Sequence, residues 1–86
     1  MIKLGKKSEC FGVEQLRYLD RGKINKMPTL NDGEALICEL DFHIYQDLYV
    51  AENMDDVKQL WDFYAAGWAL GIKWYAGEDP GFIFII

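Results

Sequence analysis

In 86 residues the chain has only two cysteines, two prolines and one histidine. Each scarcity excludes something. Cys10 and Cys38 are too few for a disulfide scaffold, and no secretory apolar segment precedes them. They are therefore expected to stay reduced in a cytoplasmic protein. A membrane span needs roughly 18–20 consecutive apolar residues. The best stretches, residues 64–72 and 82–86, are broken by glycine or too short. One histidine without cysteine or histidine at ligand spacing supplies no metal set, so neither metal nor cofactor is expected. The glycines stand in no GxGxxG or GxxxxGK arrangement, which excludes a phosphate loop.

Cations are scarce beyond residue 26. Residues 1–26 hold seven Lys or Arg against three acids, a net of +4, whereas residues 27–86 hold Lys58 and Lys73 against eleven acids, a net of −9. The total is −5. A field of this kind selects partners but does not choose a fold. Acidity argues against direct nucleic-acid binding, which needs a basic face.

Apolar residues make up 51% of the chain and aromatics 15%, enough for one domain over residues 1–86 to build a core without metal or disulfides. Ile2 and Leu4 flank Lys3 as a short strand would. In residues 9–21, Val13, Leu16 and Leu19 fall at helical spacing before Gly22, which predicts a short helix; Phe11, Val13 and residues 17–19 also suit a strand turning at 20–22. Asn31-Asp32-Gly33 predicts a turn. From 36 to 50 the even positions Leu36, Cys38, Leu40, Phe42, Ile44, Gln46, Leu48 and Val50 are mostly apolar, and the odd ones mostly polar. This period of two predicts strands with one face in the core, divided by a turn or bulge near Gln46-Asp47. Asn53 or Asp55 can cap a helix in which Val57, Leu60, Trp61, Tyr64, Ala65 and Trp68 form the buried stripe, with Phe63 and Leu70 on its flank. Residues 73–76 and 82–86 predict two strands joined by a turn at 77–81. The fold class expected is α+β: an antiparallel sheet of about four to five strands, one long helix in the C-terminal half and a short N-terminal helix.

No catalytic constellation emerges. Asp41 and His43 share a strand face, but two groups make neither a metal site nor a complete acid–base machine. Cys38 belongs to the even set and His43 to the odd, so they point apart, and no enzyme is expected. The feature with most to say about function is the odd face. Glu39, Asp41, His43, Tyr45, Asp47 and Tyr49 should line one surface at ~6.6 Å steps, with Glu52, Asp55, Asp56 and Asp62 following at the helix entry. Such a stripe suits a basic protein partner, a nuclease or another nucleic-acid-handling enzyme, and its carboxylates could stand in for backbone phosphates. In size and acidity the chain resembles a functional class, the small acidic inhibitors of phages and bacteria that include anti-restriction, anti-CRISPR and nuclease-immunity proteins. That resemblance implies a non-enzymatic inhibitor that can act as a nucleic-acid mimic. The alternative is an assembly module that forms a homodimer or larger oligomer through Phe82, Phe84 and Ile86 or through the tryptophan helix, because an uncovered apolar strand would aggregate.

Overall fold

The computed structural model describes residues 2–19, 26–77 and 83–85, with only the backbone of the last two. The elements in chain order are β1 (Ile2–Lys6), β2 (Cys10–Phe11), β3 (Arg17–Tyr18), β4 (Ala35–Asp41), β5 (Gln46–Ala51), α1 (Met54–Ala65), β6 (Gly71–Gly77) and β7 (Phe84–Ile85). Five strands form one antiparallel sheet in the order β1-β5-β4-β6-β3, and β2 pairs with β7 in a separate two-stranded ribbon. The α+β class, the antiparallel sheet and the helix in the second half follow the sequence. Among the described residues no helix is long and apolar enough to cross a membrane.

The central hairpin decides where every side chain of the middle third goes. Leu40 pairs with Asp47 and Asp41 with Gln46, so residues 42–45 form a four-residue loop, with the Phe42 N–H donating to the Tyr45 carbonyl at 2.9 Å. The division falls earlier than Gln46-Asp47. An even loop joins residues of opposite parity across the strands, and cross-strand partners share a face. Leu36, Cys38 and Leu40 therefore share one face with Ala51, Tyr49 and Asp47, while Ile37 and Glu39 share the other with Val50 and Leu48. The single even-numbered core face expected over 36–50 does not exist.

Both faces are covered. On one, Val57 and Leu60 of α1, with Ala69, pack on Leu36, Cys38, Leu40, Ala51, Trp74 and Ala76. On the other, Val13, Leu16 and Ile83 pack on Ile37, Leu48 and Val50. Burying each Leu, Ile or Val is worth roughly 1.5–3 kcal/mol. Leaving Ile37, Leu48 and Val50 wet would forgo more than burying one paired carboxylate, Glu39, costs. A second cover is the result.

That cover replaces the expected N-terminal helix. Residues 9–21 contain a 3-10 turn, Val13–Gln15, between β2 and β3, preceded by another at Lys7–Glu9. Gly12 at φ +92° interrupts any continuous helix, and Leu19 donates its N–H to Trp74 O to extend the β3–β6 ladder. Val13 and Leu16 still face inward because a spacing of three also fits a 3-10 turn. Gly22 and the turn proposed at 20–22 lie outside the described residues, as does most of the turn at 77–81. The C-terminal strand is a second correction: β7 pairs with β2 and not with β6, so the two strands expected at 73–76 and 82–86 do not form a hairpin.

Asn53 caps α1, its Oδ1 accepting from the Asp56 N–H at 2.9 Å, while the Glu52 N–H donates to Asp56 Oδ2 at 3.0 Å. That bond is the leading cause holding the Asp56 carboxyl below the ordinary aspartate range. A lowered pKa means stability present at neutral pH and lost as pH falls through the folded-state value. Asn53→Ala should cost about 1 kcal/mol in urea denaturation. Asp56→Asn should also lower stability at neutral pH and flatten its decline in acid; an unchanged acid limb would contradict this assignment.

Candidate functional site

The structure separates the residues expected to form an acidic stripe. Glu39 is 3% exposed, on the face covered by the N-terminal segment. Its Oε1 sits 2.8 Å from Lys7 Nζ and accepts from the Tyr75 hydroxyl at 2.8 Å. Burial, and then that bond, push the Tyr75 phenol well above the ordinary tyrosine range. Asp47, also 3% exposed, is on the helix face, 3.4 Å from Lys3 Nζ. Tyr49 is half-buried beside it, its phenol raised by burial first and by Asp47 second.

Asp41 ends β4 and works locally. Its Oδ1 accepts from the His43 N–H at 2.9 Å and from Gln46 Nε2 at 3.4 Å, and the His43 bond leads in lowering its pKa. Those bonds hold the loop in which His43 takes φ +78°, left-handed for a residue that bears a Cβ. His43 itself is exposed, and Tyr45 is half-buried with Lys6 Nζ 5.1 Å from its ring centre. Because β5 leads away from the loop to the start of α1, exposed Glu52 and Asp55 and buried Asp56 lie at the opposite end of the sheet. Asp62 is exposed but pairs with Lys58 at 2.9 Å, one turn back. The one-face stripe is thus corrected by register: an even loop sends Glu39 and Asp47 to opposite faces, and lysines from the basic segment meet each. Among the described residues, no three of His, Cys, Asp and Glu come together as a metal site.

What the fold gathers instead is apolar. α1 ends at Ala65, and Gly67 at φ +85° reverses the chain: the Gly67 N–H donates to Tyr64 O and the Trp68 N–H to Phe63 O. This is the Schellman pattern, whose usual hydrophobic contact here is Trp68 stacked on Phe63, with centroids 6.0 Å apart and planes at 26°. Trp68 therefore leaves the helix and its buried stripe. Leu70 then donates to Asp41 O at 2.7 Å, tying the segment to the end of β4. The ring chain continues from Phe63 to Phe42 at 6.1 Å and from Phe42 to Tyr45 at 5.3 Å.

Three large apolar side chains project from this end: Ile44 at 81% exposure, Trp68 at 70% and Leu70 at 69%. The helix cap accounts for the Phe63–Trp68 contact but not for so much exposed indole. At this end the sequence placed Phe63 and Leu70 on the flank of the helix stripe, where one of the two was expected to be exposed, and both are. Ile44 and Trp68 were missed. Ala66-Gly67 was the available signal, since a C-terminal cap there frees Trp68 from the helix. No family model, curated protein or solved structure matches the chain.

Removing one partner from a buried ion pair costs more than removing both charges. Lys7→Met should destabilise the protein by about 2 kcal/mol, since Lys7 is itself partly solvated and the cost is discounted accordingly. Adding Glu39→Gln, which still accepts from Tyr75, should recover most of that loss in urea denaturation. Strict additivity of the two changes would show that the pair is not coupled.

Proposed function

We propose that this protein is a non-enzymatic binding protein that docks the aromatic end of its sheet onto a basic surface of another protein and blocks it. The observation that carries this reading is the exposure of Ile44, Trp68 and Leu70 at one end, on a frame tied down by the helix cap and the Leu70–Asp41 bond. Interfaces are anchored by large apolar and aromatic side chains, tryptophan foremost.

Charge selects the kind of partner. α1 directs its C-terminus at this end, with no basic residue in its last turn to offset the negative pole of the helix. Asp41 and Asp62 flank the rings, and the chain carries a net −5. An exposed indole face also attracts cations, arginine above all. Two copies would bring like poles together, which disfavours self-association through this end. A basic surface is what enzymes acting on nucleic acids must present to phosphate, so the inhibitor reading survives in this form. Imitation of a phosphate row does not, because the buried and separated Glu39 and Asp47 leave no row. The rival oligomer strand rests on Phe82 and Ile86, which lie outside the described residues, and on Phe84, described by backbone alone.

The test is affinity capture from host extract, followed by titration of the purified partner. Trp68→Ala should weaken binding about 30-fold, the effect of losing a hot spot of about 2 kcal/mol. Asp41→Lys with Asp62→Lys should weaken it further, and rising salt should do the same. Glu52→Lys with Asp55→Lys, at the far end, should leave affinity within about twofold. Equal affinity of Trp68→Ala and wild type would refute the reading. So would a salt-independent dimer of this chain that Trp68→Ala dissolves.

A further inference from the structure

A cleft of about 260 Å³ opens beside the aromatic end, between α1 and the sheet, lined by Leu40, Tyr49, Gln59, Leu60 and Phe63. It is smaller than the 300–1,000 Å³ typical of drug-sized ligands, and suits a single side chain. Phe63 belongs both to this cleft and to the Trp68 stack, so the cleft continues the docking surface.

Asp47 stands next to two of the lining residues. It pairs across the sheet with Leu40 and precedes Tyr49 by two positions, so the three share the helix face. The carboxylate is buried, and its Oδ1 has no hydrogen-bond partner among the described residues. A buried carboxylate oxygen left unpaired is costly and is not needed for packing, which marks it as a group awaiting a donor. Oδ2 meets Lys3 Nζ at 3.4 Å, long beside the 2.7–2.9 Å of a charge-assisted hydrogen bond. Lys3 is well exposed and is the cross-strand neighbour of Tyr49, so the ammonium that covers Asp47 stands at the edge of the cleft and can swing into water.

We propose that this cleft captures an arginine side chain of the basic partner, with the alkyl stem against Tyr49, Leu60 and Phe63 and the guanidinium taking Asp47 in place of Lys3. The proposal rests on the docking reading above and names its central contact. Arginine fits better than lysine because its planar head is weakly hydrated, stacks on aromatic faces and grips a carboxylate through two donors. An anionic guest is excluded by Asp47. An uncharged donor gives Oδ1 a hydrogen bond but no charge to replace the displaced Lys3.

The experiment uses a small probe and no partner. Butylguanidinium is titrated into the isotopically labelled full chain and followed by amide chemical shifts, with butylammonium and butanol as comparisons. Saturable shifts should centre on Asp47, Tyr49, Leu60 and Phe63, strongest for the guanidinium and absent for butanol. Lys3→Ala should tighten binding by up to about fivefold, the worth of one exposed ion pair. Asp47→Asn should abolish it. Gln59→Trp, an exposed change that fills the cleft without touching Asp47, should block it even where Asp47→Asn fails to fold. No saturable shift up to about 100 mM, equivalent to roughly −1.4 kcal/mol, would overturn the inference, as would shifts indifferent to both Lys3→Ala and Gln59→Trp. If the probe fails while Trp68→Ala still weakens the partner, the cleft is wrong and the docking end stands. If the probe binds while Trp68→Ala has no effect on the partner, the cleft stands as a guanidinium site and the docking end falls.

Discussion

Lys7 on Glu39 and Lys3 on Asp47 are the contacts that let this sheet be buried on both sides. Each carboxylate is only 3% exposed, and an uncompensated one would cost several kcal/mol. The cations arrive from β1 and the turn after it, as β1 pairs with β5 at the sheet edge. Once those charges are matched, the N-terminal segment can lay Val13 and Leu16 over Ile37, Leu48 and Val50. The gain from that apolar cover exceeds the cost of the paired acids. Lys3, Lys7 and, on Glu34, Arg17 thus act as internal counter-charge to acids of the later part of the chain.

Much of the fold was legible because its signals are local. Asn53 is a helix cap by chemistry, Asn31-Asp32-Gly33 turns with Gly33 at φ +78°, and Val57 and Leu60 are buried as their spacing requires. The face assignment of 46–50 was not legible in the same way. Alternation continued through the loop at 42–45 because Phe42 and Ile44 are apolar, yet an even loop exchanges the two faces. Parity counted along the chain is correct within a strand and wrong across such a turn. The N-terminal helix failed for a related reason. Val13 and Leu16 are spaced by three, which a single 3-10 turn satisfies as well as an α-helix does, and only the pairing of β3 with β6 separates the two.

The same register exchange relocates the site. Acids that looked like a continuous surface divide into buried structural pairs, a loop-holding carboxylate at Asp41 and a helix cap at Asp56. What faces outward at the loop end is an apolar group, Ile44, Trp68 and Leu70, beside Asp41 and the C-terminus of α1. Phe63 and Leu70 were visible as exposed flanks of a helix stripe. Trp68 emerges only when Gly67 ends the helix and turns the indole outward. In the proposed function, acidity acts as the long-range field around an apolar anchor and not as the anchor itself.

The most direct test of internal neutralisation is the reactivity of each carboxylate in the native protein. Carbodiimide coupling of glycine amide, mapped residue by residue by mass spectrometry, reads that quantity. Glu39 should resist labelling until the chain is unfolded, whereas Glu52, Asp55 and Asp62 should react at once. Labelling of Glu39 as fast as Asp62 would mean that it lies on an open surface after all, and the account of this fold would be wrong.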